Sequence, residues 1–296
     1  MHRGRTCEAE SVDAQFKVRR DLCQTLPVRR SPGGLLLIIA GVLVAVAIGS
    51  LWLQRVAFTP SASSGGAHSI LENEDIIDQV ATVIASADAP ILSQSPQQLR
   101  EFIKEIAAIP SGAALMGQFV HDAHSRLIGE SDELVVITAE EQVTIVRDEL
   151  VGEAESLTLP VQEVGSVSFL DEWTNWFALG CIGLAFVMLL AGIILHPERG
   201  EATFALGVMF ASTAASLFVF GYVIPAALLP ALSDDPWMGV FPQLANHHRN
   251  LTLLLIVIAL VIAALIVFGT SSRRQRRQHS TPLNVGRYRD DRSWSR

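Results

Sequence analysis

The sequence predicts a membrane protein: a four-helix transmembrane bundle carrying an extracytoplasmic α+β domain, with about three helices and a small sheet. Three observations predict it. Half of the 296 residues are hydrophobic and only 18% are charged, below the roughly 25% of an average soluble protein. The apolar residues collect in four runs, 33–53, 176–195, 202–232 and 251–269, each long enough for a helix rising about 1.5 Å per residue to cross about 30 Å of hydrocarbon. Between the first two runs lies a long acidic segment, helix-periodic at first and strand-like later.

Residues 1–32 mix both charge signs without apolar periodicity and are expected to form a disordered cytoplasmic segment. Span one covers 33–53. Its apolar core exceeds the roughly 7–15 residues of a cleaved signal peptide, so it reads as an uncleaved anchor. Residues 54–70, including "TPSASSGGAHS", have the composition of a flexible linker.

The extracytoplasmic domain is assigned to 71–172. In "NEDIIDQVATVIASA", Asn73 caps a helix that places Ile76, Ile77, Val80, Val83 and Ile84 on one face. "SPQQLREFIKEIAAIP" predicts a second helix, with Ser95 as cap, Pro96 in the first turn, Gln98 closing a capping box, and Leu99, Phe102, Ile103 and Ile106 facing inward. A third is expected over 111–127, stopped by Gly129. "ELVVIT" and "QVTIV" read as a hairpin, and "SLTLPV" with "SVSFL" as two further strands. The domain contains no cysteine, so it must hold together without disulfides.

Span two is assigned to 173–195, a cytoplasmic turn to 196–201, span three to 202–230, an outer loop to 231–249, span four to 250–269 and a basic cytoplasmic tail to 270–296. In span three, Pro225 is expected to kink the last turns and Pro230 to help stop them. Seven Lys/Arg precede span one and eight follow span four, whereas 54–172 holds five against twenty Asp/Glu. The positive-inside bias then puts both termini in the cytoplasm of a plasma-membrane protein. Trp52, Trp173, Trp176 and Trp237 all fall at the outer interface, where an amphipathic indole is favoured. Small residues recur every fourth position at Gly41, Ala45 and Gly49 in span one and at Gly207, Ala211 and Ala215 in span three, a pattern that lets helices approach closely.

Chemistry-bearing patterns are sparse. His121 and His124 in "HDAH" are candidate metal or catalytic residues, but a metal site needs three or four ligands, and the competing reading is two polar positions on a surface helix. His247 and His248 in "NHHRN" titrate near neutrality and could meet an anion; a polar cap on span four explains them more simply. Asp234 and Asp235 form, with Pro236, a turn seating Trp237. Trp237, Asp234, Asp235, His247 and His248 together make a candidate binding surface, the floor of a site under the domain. Arg273, Arg274, Arg276 and Arg277 follow span four directly and are candidate anionic-lipid contacts. No cofactor motif occurs, and a net charge of −8 disfavours nucleic acid as a partner. No Asp, Glu, Lys, Arg or His lies within the four apolar cores, which disfavours a polar substrate path.

The order of elements, with "DQVATVIASADAPIL", "HDAHSRLI", "VTIV" and then "LHPERGEATFALGVMFASTAASLFVFGYVIPAALLPALSDDPW", resembles a group of uncharacterised actinobacterial four-span integral membrane proteins. The resemblance covers roughly residues 70–269 and implies a domain between spans one and two, without implying an activity. The resulting expectation is a non-enzymatic bacterial envelope protein whose exported domain binds a protein, lipid or wall component, with the bilayer as its other partner. The alternatives are a transport component or channel subunit for an apolar or lipidic substrate and, third, a hydrolase using His121 or His124.

Overall fold

The structure, a computed structural model, describes residues 31–59, 64–195 and 199–279. The segment assigned to 1–32 lies outside the described residues except for its last two positions. So do the middle of the 54–70 linker, the first half of the 196–201 turn, and 280–296 of the basic tail.

Span one is α1 (Pro32–Ala57). After it come α2 (Ser64–Leu71), α3 (Glu74–Ile91), α4 (Pro96–Ala107), α5 (Pro110–Leu115) and α6 (Gly117–Leu127), then strand β1 (Val136–Ile137), α7 (Ala139–Val146) and strand β2 (Leu157–Thr158). Span two is α8 (Gly165–Ile194); span three is α9 (Arg199–Phe218) continued by a π-helical segment, Val219–Leu228. Two short 3₁₀ turns and α10 (Val240–His247) lead to α11 (Arg249–His279), which contains span four. The four spans are each long and apolar enough to cross a bilayer, the arrangement of a multi-pass membrane protein.

The domain between spans one and two is mostly helical. Its sheet is one antiparallel pair, Val136 opposite Thr158 and Ile137 opposite Leu157, so the expected α+β character reduces to a two-residue ladder. "QVTIV" is helix α7, not a strand. Thr138 accepts from the Glu141 amide while Glu141 accepts from the Thr138 amide, a capping box that starts a helix despite the β-branched residues after it. "SVSFL" forms the first turns of α8. The single helix expected over 111–127 breaks at Met116 into α5 and α6. Asn73 caps α3 as expected, accepting from the amides of Asp75 and Ile76, whereas Ser95 makes no side-chain capping bond. Part of the expected linker is α2, held by buried Ala67, Ile70 and Leu71.

One apolar core joins two distant parts of the chain. Ile76, Val80 and Ile84 of α3, Leu99 and Ile103 of α4, and Phe119 and Leu127 of α6 meet Phe58 from the end of span one. They also meet Leu229, Trp237, Phe241 and Leu244 from between spans three and four. Trp237 and Phe241 are wholly buried. Trp237 therefore does not sit at a membrane interface; residues 231–249 complete the domain core and tie it to spans three and four.

Among the spans, α1 packs against both α8 and α9, and α9 against α11. A Cβ on Gly49 would lie 2.8 Å from Phe220 and 2.9 Å from Ser216, so only glycine permits this approach of spans one and three. Ala45 is wholly buried, in keeping with the predicted small face of span one. The predicted stripe on span three does not act as one face: Gly207 packs on Val267 of span four, while Ala211 and Ala215 are exposed. Span three has neighbours on two sides, and its buried positions, Ala205, Thr213, Ala214, Ser216 and Leu217, are divided accordingly.

At the domain side, Trp52 is a helix-to-helix contact and not a free interfacial anchor. Its indole N–H donates to Thr252 Oγ1 at 3.1 Å, and the Thr252 hydroxyl donates to the His248 carbonyl at 2.9 Å. The indole sits against Gly221, where a Cβ would approach it to 2.6 Å. Trp173 and Trp176 remain exposed, as interfacial indoles require. At the opposite end, Glu201 accepts from the Ser31 amide at 2.9 Å and from the Ser31 hydroxyl, placing a carboxylate at the positive end of span one.

Replacing Gly49 by valine is expected to destabilise the protein by about 1–3 kcal/mol, the usual cost of overpacking. Gly180→Val is the control, because nothing lies within 4 Å of a Cβ there. Thermal unfolding of both variants in detergent checks it: a lowered midpoint for Gly49→Val alone is the expected outcome.

Candidate functional site

The two histidines of "HDAH" separate in environment. His124 is 1% exposed, and its Nε2–H donates to the Ala57 carbonyl at 2.9 Å, satisfying one of the open carbonyls at the end of span one. Burial pushes its pKa down to about 4, and the nearby His121 acts in the same direction. The neutral ring packs edge-on against Phe241, with ring centroids 6.1 Å apart. His124 is therefore an interior helix-end cap and not a surface residue. Among the described residues no three His, Cys, Asp or Glu side chains gather to hold a metal ion.

The remaining candidates divide between structure and surface. Asp235 caps the turn that buries Trp237, accepting from its backbone amide at 2.8 Å, while Asp234 is exposed. His247 shares a 3.0 Å hydrogen bond with Ser69 of α2. His248 packs beside it, with its pKa lowered by burial and by the neighbouring His247 and Arg55. The five residues proposed as one surface thus surround the seat of α10, but Trp237 is inside it. Arg273, Arg274, Arg276 and Arg277 fall on the continuous helix that carries span four onward to His279.

Two depressions stand out among the described residues. A shallow one beside Asp75, Asp78, Gln79 and Pro236 is acidic and open to solvent. Asp78 is already paired with Lys104, whose hydrogen bond holds its carboxyl below the usual carboxylate range.

The second is a cavity of about 310 Å³ lined by Leu53 and Phe58 of span one, Phe169, Leu170, Trp173 and Phe177 of span two, and Phe220, Ile224 and Leu229 around the π segment. Its only other lining residues, Ser50 and Thr174, donate their hydroxyls to Val46 and Leu170 carbonyls of their own helices. The groove therefore offers an apolar surface. Spans two and three both pack on span one and not extensively on each other, so the groove lies between them, with span one behind. Phe58 closes the domain end and is itself stacked edge-on against Phe241, with ring centroids 6.2 Å apart.

Local sequence accounts for the third wall. Pro225 has no N–H to close on Gly221, and the helix widens instead of stopping; the Leu229 amide bonds to the Ile224 carbonyl, five residues back, at 2.9 Å. The prolines were legible as a perturbation of the span, but the groove was not, because its walls come from residues about 50, 170 and 220 in the chain. Comparison of the chain with protein-family models, curated proteins and solved structures found no match.

One buried group stands apart from the groove. Asp88 of α3 is fully buried, with neither carboxylate oxygen hydrogen-bonded, and burial pushes its pKa up to about 6. A raised folded-state value means that its contribution to stability is present at low pH and is lost as pH rises through about 6. Asp88→Asn is therefore expected to raise stability over the unmodified protein by roughly 1–3 kcal/mol at pH 8 and by little at pH 4. Unfolding midpoints of the two proteins across that range check it. Referring the variant to the unmodified protein removes the opposing effect of His124, whose lowered value costs stability as the solution is acidified.

Proposed function

We propose that this protein is a non-enzymatic membrane protein of the bacterial envelope that holds a single lipid chain in the lateral groove beneath its exported domain. The observation that carries the reading is the groove itself: an apolar cavity between spans two and three, walled by a π-helical segment and capped by Phe58. Its volume is at the lower end of the usual range for ligand pockets, about 300–1,000 Å³, which suits one chain better than a whole lipid. An acyl chain enters such a site from the bilayer without shedding water or losing hydrogen bonds. π-Helical turns recur at functional sites.

The orientation, with both termini cytoplasmic and the domain exported across the plasma membrane, rests on the charge bias. The 54–172 segment has twenty Asp/Glu against five Lys/Arg, whereas seven Lys/Arg precede span one and eight follow span four. Membership of the actinobacterial four-span group rests on the short motifs and their order. The contact from Phe58 to Phe241 gives an occupied groove a route to the domain, where a protein or wall partner would then be bound. A second reading, a transport component for a lipidic substrate, is favoured by the π segment, since a widened helix can rearrange at the groove wall.

Photolabelling tests the proposal. With a diazirine-tagged fatty-acyl probe in nanodiscs, label is expected to concentrate on peptides containing Phe177 and Phe220, and the groove-filling variant Ile224→Trp is expected to reduce it about fivefold, equivalent to about 1 kcal/mol. Uniform labelling of exposed span faces, unchanged by Ile224→Trp, would contradict it. Probe movement between leaflets that is lost in the same variant would favour the transport reading.

A further inference from the structure

A carboxylate adjoins the lining at the domain end of the groove. Asp171 of span two follows lining residue Leu170 and lies one helical turn from lining residue Thr174. It accepts from Gln54 Nε2 at 2.9 Å, across the seam between spans one and two that backs the groove. Gln54 falls in the same four-residue row of span one as the lining residues Ser50 and Phe58. Its other side-chain atom, Oε1, is buried without a donor. Glu130 is exposed and close enough to Asp171 to act on it electrostatically.

Among the described residues no cation forms an ion pair with Asp171 or Glu130. Arg126 directs Nε and Nη1 onto the carbonyls of Val161, Asp132 and Glu133, at 2.8, 2.6 and 2.6 Å. Arg55 lies close to His248, on the side of span one where Trp52 meets span four. A lipid whose chain fills the groove therefore brings its headgroup toward Asp171 and Glu130, with no free guanidinium or ammonium described beside them. A phosphate would meet like charge and has no proton to donate. A hydroxyl carries no charge and can donate to carboxylate and amide oxygens, the acceptors present here.

We infer that the groove selects a lipid with an uncharged, hydroxyl-bearing headgroup, and that Asp171 and Glu130 set this selectivity by repelling anionic headgroups. The inference rests on the reading of the groove as a site for a lipid chain. It assigns to the two carboxylates a role in specificity, separate from the apolar residues that hold the chain.

The test uses the full chain in detergent and two probes with identical acyl chains, dioleoylglycerol and dioleoylphosphatidylglycerol, each competing against a fluorescent fatty-acyl reporter at low salt. The expected result is roughly tenfold stronger competition by dioleoylglycerol, about 1.4 kcal/mol, narrowing to within about twofold in Glu130→Gln with Asp171→Asn, each ratio being referred to that variant's own affinity for the reporter. Asparagine still accepts from Gln54; should the double variant fold poorly, exposed Glu130→Gln alone is expected to narrow the ratio part of the way. Equal competition by the two lipids in the unmodified chain, or a preference for the phosphatidylglycerol, would overturn the inference and leave the groove reading standing. A ratio unchanged in the variants would overturn the assignment to these carboxylates. Failure of the reporter and both lipids to bind would remove the groove reading itself.

Discussion

The structure depends on how the end of span one is closed. A helix that leaves an apolar environment carries open carbonyls, and burying one without a partner costs about 1–3 kcal/mol. Here the chain does not turn out into water. Phe58 goes straight into the domain core, and the Ala57 carbonyl just before it is satisfied by His124, a side chain 67 residues further on. The histidine donates through its Nε2–H, and burial holds the ring neutral. Phe241, from between spans three and four, touches both Phe58 and His124. Three segments remote in sequence thus meet at one point, and the domain is fixed to the spans through packed side chains.

The groove follows from that closure. Phe58 is held above the bilayer-facing part of span one, where it forms the end wall. Gly49 draws span three against span one, and Gly221 admits the Trp52 indole that ties both to span four. Between these two contacts, span three passes from α-helix to π-helix and turns Phe220 and Ile224 into the space beside span one. Span two meets span one where Gly192 lies against Gly33 and Leu37 and through the Gln54–Asp171 hydrogen bond, leaving Trp173 and Phe177 on the open side. The cavity is what remains when three helices are held at fixed spacing by small residues and roofed by a domain.

The spans, their approximate ends and the α3 cap were legible in the sequence because each is written locally, in a run of apolar residues or in an Asn-Glu-Asp start. Two kinds of feature were not. The first is local competition: Val143, Ile145 and Val146 favour a strand by composition, but Thr138 and Glu141 supply a helix start in the residues just before them, and the cap prevails. That signal was present in "TAEE". The second is non-local. Nothing near Trp237 distinguishes an interfacial indole from a core indole, since the core it joins, with Ile76 and Phe119 among its members, lies more than a hundred positions away. The same holds for His124, whose acceptor is on span one, and for the groove, whose polar residues bond within their own helices and leave no motif behind.

An experimental density map of the full chain reconstituted in lipid nanodiscs tests the central claim most directly, namely that the domain and spans form one packed unit enclosing a lateral lipid-chain groove. The account predicts Trp237 and Phe241 ordered in the domain core and elongated density between Phe177 and Phe220 ending beneath Phe58. A domain detached from span one with Trp237 exposed, or spans two and three packed directly together with the groove closed, would contradict it.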